Sequence, residues 1–116
     1  GKAVAQDATA VPANAALAMA TINGAKAMGL DADIGSLEVG KFADLCAVDL
    51  GSINSIPLYD VISQLVYSTQ ASQVSHVWSG GEALLFDRKL QTIDEQQLKR
   101  TTQEWQKDVK HLAEKA

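Results

Sequence analysis

The segment from Val74 to Phe86 constrains the fold most strongly, because two strand-like stretches flank a pair of glycines. Gly80 and Gly81 can both take the positive φ angles that a two-residue hairpin turn requires. The pattern predicts a β-hairpin, so the chain must build a sheet. Before the turn, residues of the two faces alternate: Val74, His76 and Trp78 with Ser75, Val77 and Ser79.

A helix rich in small residues is predicted from Pro12 to Met28. Pro12 suits the first helical turn, where its missing N–H costs nothing, and Gly29 suits the left-handed position just past the end. Alanine and glycine dominate the faces between them. A helix of this kind can approach another element closely, which favours packing against a sheet or a barrel.

The middle of the chain predicts a turn-rich connection, a strand and a second helix. Asp31 to Asp44 contains two glycines and alternating polar residues, and Leu45 to Leu50 is typical of a short buried strand. Ser55 is a candidate N-cap and Pro57 a candidate early helical residue. The helical face that follows them is formed by Leu58, Val61, Ile62 and Leu65.

A long final helix is predicted after a Thr92–Glu95 capping box, with a sparse apolar stripe of Leu98, Trp105, Val109 and Leu112. The order of elements is helix, strand, helix, hairpin, helix, which indicates an α+β arrangement. A sheet of only three strands leaves a long apolar edge unpaired. We therefore expect these elements to lean on further protein.

Composition excludes several classes of function. The 116 residues carry a formal net charge of −4 with scattered basic residues, which argues against nucleic-acid binding. Lys107, Lys110 and Lys115 are explained by a helix C-terminus. Cys46 is the only cysteine, so no internal disulfide forms, and no apolar run is long enough to span a bilayer. We expect a cytoplasmic protein without membrane contact.

The sequence offers few groups for catalysis or metal binding. His76, His111 and Cys46 are far apart and fall on different elements, so they do not form a metal-ligand pattern. His76 is predicted to be a half-buried structural residue of a strand. Cys46 is predicted to be a small core residue, because no histidine lies near it in sequence to activate a thiol nucleophile.

Two further patterns have structural explanations. Gly35, Gly40 and Lys41 lack the spacing of a phosphate loop and precede a strand rather than a helix. The acidic pairs flank a turn or open a helix; they are Asp31 with Asp33, and Asp94 with Glu95. The sequence therefore predicts no catalytic, cofactor-binding or metal-binding residue in this chain.

Several strings nevertheless resemble one enzyme superfamily. Residues 20–29, ATINGAKAMG, and 34–45, IGSLEVGKFADL, resemble the end of the barrel and the return strand of the amidohydrolases, with Val39 where a proline is usual. Residues 57–67, PLYDVISQLVY, and 74–78, VSHVW, are similar to the subgroup of methylthioadenosine/S-adenosylhomocysteine deaminases and triazine-type hydrolases.

The resemblance implies a (β/α)8 barrel with a small β-sandwich built from both chain termini. In that family a water bound to zinc or another divalent metal attacks a purine C6 or similar carbon, and the metal ligands precede the region matched here. Residues 1–34 would hold the terminal barrel helices, residues 35–90 part of the sandwich with an inserted helix, and residues 91–116 an outer amphipathic helix.

The leading expectation is a non-catalytic C-terminal scaffold segment of a deaminase-type hydrolase. Its partners would be the remainder of the barrel and the small-molecule substrate of the parent enzyme, and the isolated segment would self-associate through its open faces. One alternative is a free-standing α+β interaction module that pairs through its sheet edge or last helix. Another is a thiol enzyme that uses Cys46.

Overall fold

The computed structural model describes residues 11–51 and 57–115, which form an α+β arrangement. No helix in these two stretches is both long and apolar enough to cross a membrane. The helices are α1 (Ala13–Ala20), α2 (Ile22–Ala27), α3 (Val61–Tyr67) and α4 (Glu95–Lys115). The strands are β1 (Leu45–Val48), β2 (Val74–Ser79), β3 (Glu82–Phe86) and β4 (Lys89–Leu90).

The first helical segment is broken, and the prediction of one continuous helix over Pro12 to Met28 is wrong. The break falls at Thr21, whose backbone lies at φ −123° and ψ −99°. The Thr21 hydroxyl donates to the Leu17 carbonyl at 2.7 Å, and such back-bonding competes with the regular helical pattern. α1 and α2 therefore follow one another with a bend between them.

The end of α2 confirms the role predicted for Gly29, which lies at φ +74°. The Leu30 amide donates to the Ala25 carbonyl at 2.8 Å, and the Gly29 amide donates to the Lys26 carbonyl at 3.1 Å. These two bonds form a Schellman motif, which satisfies carbonyls that a helix end leaves free. The chain turns back towards α2 at this point.

α3 begins later than the sequence indicated. Its first residue is Val61, and Asp60 caps it by accepting a bond from the Ser63 amide at 3.0 Å. Pro57 precedes the helix, so the prediction of an early helical position there is wrong. The helix begins after Asp60 because the Asp60 carboxylate accepts a hydrogen bond from an amide of the first helical turn. The proposed cap at Ser55 lies outside the described residues. α3 packs against α1.

The sheet is antiparallel, with its four strands in chain order. β2 and β3 form the predicted hairpin, and Gly80 and Gly81 have φ angles of +56° and +83°. β1 pairs with β2, placing Leu45 opposite Trp78 and Cys46 opposite Val77. The predicted strand over Leu45 to Leu50 ends at Val48.

A fourth strand corrects the expectation of a three-stranded sheet. Leu85 pairs with Leu90, and Phe86 pairs with Lys89, across a second two-residue turn. Asp87 and Arg88 form that turn with φ angles of +49° and +64°, a region that non-glycine residues rarely occupy. The missing glycine explains why sequence patterns gave no hairpin signal here.

The last helix is present, but its predicted start is wrong. Asp94 caps α4, because its carboxylate accepts bonds from the Gln96 and Gln97 amides at 3.0 and 3.1 Å. The proposed Thr92–Glu95 capping box assigned this role to the threonine. Every residue of α4 is exposed.

Little of the described chain is buried. Ala25, at 4% exposure, is the only buried apolar residue among those described, and Gln73 is the only buried polar one, at 6%. The radius of gyration is 19.3 Å, against about 13 Å for a compact domain of this length. The elements are well formed, but within these residues they do not enclose a core.

Candidate functional site

The loop after α2 packs closely against α2 itself. A Cβ atom added at Gly35 would lie 2.8 Å from the Ala25 Cβ and 3.0 Å from the Ile22 Cα, and Gly35 adopts φ +95°. Both the space and the backbone angle therefore require glycine. This contact buries Ala25 and holds the loop against the small-residue helix.

Polar contacts of the Lys41 side chain hold the loop beyond Gly35. The Lys41 ammonium lies 2.7 Å from the Ser36 hydroxyl and 3.1 Å from the Glu38 carboxylate, and its side chain is only 12% exposed. Hydrogen bonds from Ser36 and Lys41, with the charge of Lys41, lower the pKa of Glu38. Lys41 is committed to its own loop, which leaves a phosphate-binding role without support.

An open apolar cleft of about 490 Å³ separates α1 and α2 from the start of β1. Gly35 and Leu37 bound the cleft on its loop side, and Leu45 and Cys46 bound it on the strand side. β1 is an edge of the sheet, and no strand among the described residues covers its outer side. The helical wall consists of Ala20, Thr21, Gly24, Ala25 and Met28.

Hydrogen bonds between adjacent segments set the position of β1. The Gly81 amide donates to the Ala43 carbonyl at 3.0 Å, and the Gly80 amide donates to the Asp44 carboxylate at 2.6 Å. The hairpin turn is thus tied to the residues that lead into β1. These bonds orient the strand edge that faces the cleft.

The other end of β1 is held by an ion pair across the sheet. The Arg88 guanidinium lies 3.0 Å from the Asp49 carboxylate, and the Arg88 amide donates to the Ser75 carbonyl at 2.8 Å. Bonds from the Gly51 amide and the Arg88 side chain lower the pKa of Asp49. The Gln73 side chain donates to the Asp49 carbonyl at 3.1 Å.

Cys46 does not occupy the buried position predicted for it. Its side chain is exposed and lines the cleft, because β1 faces a space that nothing among the described residues fills. The prediction of a buried strand over Leu45 to Leu50 fails for the same reason: no residue of β1 is buried.

His76 lies on β2 and is half-buried, as the strand pattern predicted. Its ring stacks on Trp78 with centroids 5.4 Å apart and meets the edge of Phe86 at 4.7 Å. The Nδ1 atom lies 2.8 Å from the Ser75 hydroxyl. The ring contacts are aromatic packing, with Trp78 within β2 and with Phe86 on the neighbouring β3.

The remaining candidate residues are spread over the molecule. Asp31 and Asp33 lie in the exposed turn after α2, Glu95 begins α4, and His111 lies near the far end of the same helix. Within residues 11–51 and 57–115, no three histidine, cysteine, aspartate or glutamate side chains come close enough to hold a metal ion.

Sequence reasoning missed the residues that position the cleft. The sequence predicted Gly35 as a residue of a turn-rich connection, although a glycine is also the residue that allows close approach of two backbones. The Asp49–Arg88 pair joins residues that are distant in sequence, so no local spacing indicates it. The cleft that these residues position combines an apolar wall with an open strand edge.

Comparison with known proteins gives the context for these open surfaces. The amidohydrolase family model matches residues 2–84. A 5-methylthioadenosine/S-adenosylhomocysteine deaminase of Teredinibacter turnerae is 45% identical over 94% of this chain, and one of Saccharophagus degradans is 44% identical over all of it. The chain spans about a quarter of the length of these relatives, 25% and 26%.

Solved structures show the same relationship. An adenosine deaminase of Xanthomonas campestris, solved with bound zinc, superposes with a TM-score of 0.87 at 43% identity and covers 95% of this chain and 25% of its own. An atrazine chlorohydrolase of Arthrobacter aurescens, complexed with zinc, superposes with a TM-score of 0.72 at 25% identity, covering 80% of this chain and 20% of its own. The chain belongs to the amidohydrolase family.

Proposed function

We propose that this chain is the non-catalytic C-terminal part of a metal-dependent amidohydrolase that deaminates an adenosine thioether. The observation that carries the proposal is the match to methylthioadenosine/S-adenosylhomocysteine deaminases at 44–45% identity over 94–100% of the chain. The zinc-bound adenosine deaminase supports the same class of reaction. The complete protein, meaning the whole polypeptide that contains these residues, would carry the activity.

The role proposed for this chain is structural. Residues 1–34 would complete a barrel, residues 35–90 would contribute strands and a helix to a sandwich, and residues 91–116 would form an outer helix. The open cleft beside β1 supports this role, because it offers both an apolar wall and a strand edge to a neighbouring segment. Filling that space would bury Cys46 and the exposed flank of the small-residue helix.

The distribution of possible ligand side chains bears on where the metal of the family would be held. The described part has no three-member group of suitable ligands, and the cleft is mostly apolar. We therefore assign the zinc, or another divalent metal, and the proton-transfer groups to the rest of the complete protein. That this chain contributes no ligand remains a prediction.

The test compares the complete protein with this segment expressed alone, each with added zinc. Methylthioadenosine and S-adenosylhomocysteine are supplied, and release of ammonia is measured. We expect turnover by the complete protein and none by the segment. Turnover that follows the purified segment would overturn its non-catalytic role.

The choice of substrate has its own test. Adenosine thioethers and a chlorotriazine are offered to the complete protein under the same conditions. Preference for the triazine would reject the deaminase assignment while leaving the family membership intact.

Self-association of the isolated segment and a cytoplasmic location remain predictions. Light scattering that shows a monomer at high concentration would count against self-association.

A further inference from the structure

The apolar stripe of α4 has no partner within the described residues. It consists of Leu98, Trp105, Val109 and Leu112, whose exposures range from 51% to 70%. These side chains recur at helical spacing and share one face, while the rest of α4, apart from Ala113, is polar or charged. An aligned stripe that includes an exposed tryptophan indicates a docking surface, because single exposed apolar residues are ordinary but such stripes are not.

Charges of opposite sign flank the stripe. Over the central turns of α4, Glu104 and Asp108 lie on one flank and Lys99 and Lys110 lie on the other, while Lys115 and Glu95 add the opposite charge at the ends of these flanks. A two-fold antiparallel pair of α4 helices would bring each flank against its own copy and oppose like charges. Self-pairing in that orientation is therefore disfavoured.

The size of the stripe also argues against a second copy as the partner. A stable interface between separate molecules buries about 800 Å² on each side and involves about 20–30 residues per partner. The stripe offers only four residues. A helix tethered to its partner does not lose the freedom of a separate molecule on docking, so a small contact suffices.

The solved deaminase shows where α4 lies in a longer chain. That superposition covers 95% of the present chain, of which α4 makes up 21 of 116 residues, so most of the helix is included. The deaminase chain is about four times as long as the matched part, since only 25% of it is covered. Most of α4 therefore superposes on part of a chain that contains much more protein.

We propose that α4 docks through this stripe onto the part of the same polypeptide that lies outside residues 1–116. The partner surface would be an apolar groove with basic groups facing Glu104 and Asp108, and acidic groups facing Lys99 and Lys110. The proposal rests on the proposed function only in requiring that the complete protein includes such a part.

Hydrogen exchange of the complete protein, read by mass spectrometry, tests the docking. We expect the α4 amides to be protected to the same degree over a wide range of protein concentration. Trp105→Glu should raise their exchange rates roughly tenfold or more while the β2–β3 peptides stay protected. Gln103→Glu is the matched control, because it adds the same charge on the opposite face, and its exchange should stay close to that of the unaltered protein.

Three results would overturn the proposal: free exchange of α4 in the unaltered protein, protection that rises with concentration, or no response to Trp105→Glu. If that variant unfolds the whole protein, Val109→Ala provides a milder truncation, and unchanged α4 exchange in it would count against docking. Protection of α4 in a complete protein that deaminates no adenosine thioether would reject the proposed substrate and leave the docking intact.

Discussion

The loop around Gly35 and the helix α4 become ordered in different ways. Gly35 packs on Ala25 at a distance that leaves no space for a side chain, so tertiary contact defines the loop. α4 is exposed along its whole length, and its start is fixed by the carboxylate of Asp94 next to it in sequence. One region depends on packing between elements, and the other depends on local hydrogen bonds and, in our proposal, on a partner beyond the described residues.

The largest effect that would test this contrast is expected from Gly35→Ala. The new Cβ would meet the Ala25 Cβ at 2.8 Å, at a φ of +95°, so we expect a loss of more than about 3 kcal/mol in the free energy of unfolding. Chemical denaturation of the complete protein measures it. Gly40→Ala is the control: φ is +94° with nothing within 4 Å, so only the backbone strain of about 1–2 kcal/mol should appear.

The double variant Ala25→Gly with Gly35→Ala separates the two causes. Removing the Ala25 Cβ relieves the closest clash but leaves the backbone strain and adds a glycine to α2. Partial recovery relative to Gly35→Ala is expected. A double variant no more stable than the single one would show that the steric contact is not the dominant cause.

A smaller effect is expected from Asp94→Ala, which removes the cap of α4. The loss should be about 1 kcal/mol in the stability of the helix, seen as faster exchange of its first-turn amides. Thr92→Ala should have little effect on the same amides. If both substitutions speed the exchange of these amides equally, Thr92 caps the helix as the sequence predicted.

The Asp49–Arg88 pair should contribute less than about 1 kcal/mol, because both side chains are substantially exposed. A double-mutant cycle with Asp49→Asn and Arg88→Gln, followed by thermal unfolding, measures the coupling. A coupling well above this limit would indicate that the pair becomes buried in the complete protein.

The smallest expected effect is a dependence of stability on pH. Contacts in the folded state lower the pKa of Glu38 and of Asp49 below their ordinary values of 4.5 and 3.8. Their stabilisation is therefore present above those values and is lost as pH falls through the lowered pKa values. Unfolding temperatures recorded from pH 6 to about pH 3 should fall less steeply for Glu38→Gln with Asp49→Asn. Equal slopes of unfolding temperature against pH in the unaltered protein and the double variant would show that Glu38 and Asp49 do not cause the pH dependence.

The elements that sequence predicted well are those with local signals. The Gly80–Gly81 turn and the end of α2 at Gly29 depend on the conformational freedom of glycine, which is visible in any sequence. The turn at Asp87 and Arg88 was missed because it uses a strained backbone without glycine. Side-chain hydrogen bonds moved the starts of α3 and α4 to Asp60 and Asp94, since several polar residues nearby could serve as caps.

The candidate site was harder to predict for a different reason. Cys46 was expected to be buried from the apolar character of β1, and that expectation assumes that the chain supplies the covering layer. The cleft depends on Gly35 and Ala25, which meet through the fold of the loop rather than through helical or strand periodicity. A hydrophobic sequence pattern shows that a strand or helix needs a covering layer, but it does not show which part of the protein supplies that layer.

The hairpin and the edge strand also differ in when they can form. β2 and β3 are joined by two residues, so they can associate within microseconds of becoming available. β1 must wait for β2 to follow the whole of α3 along the chain, and closing that longer loop is slower. During synthesis from the N-terminus, β1 is therefore exposed along both edges before β2 exists, which makes the strand a natural point for chaperone capture or mispairing.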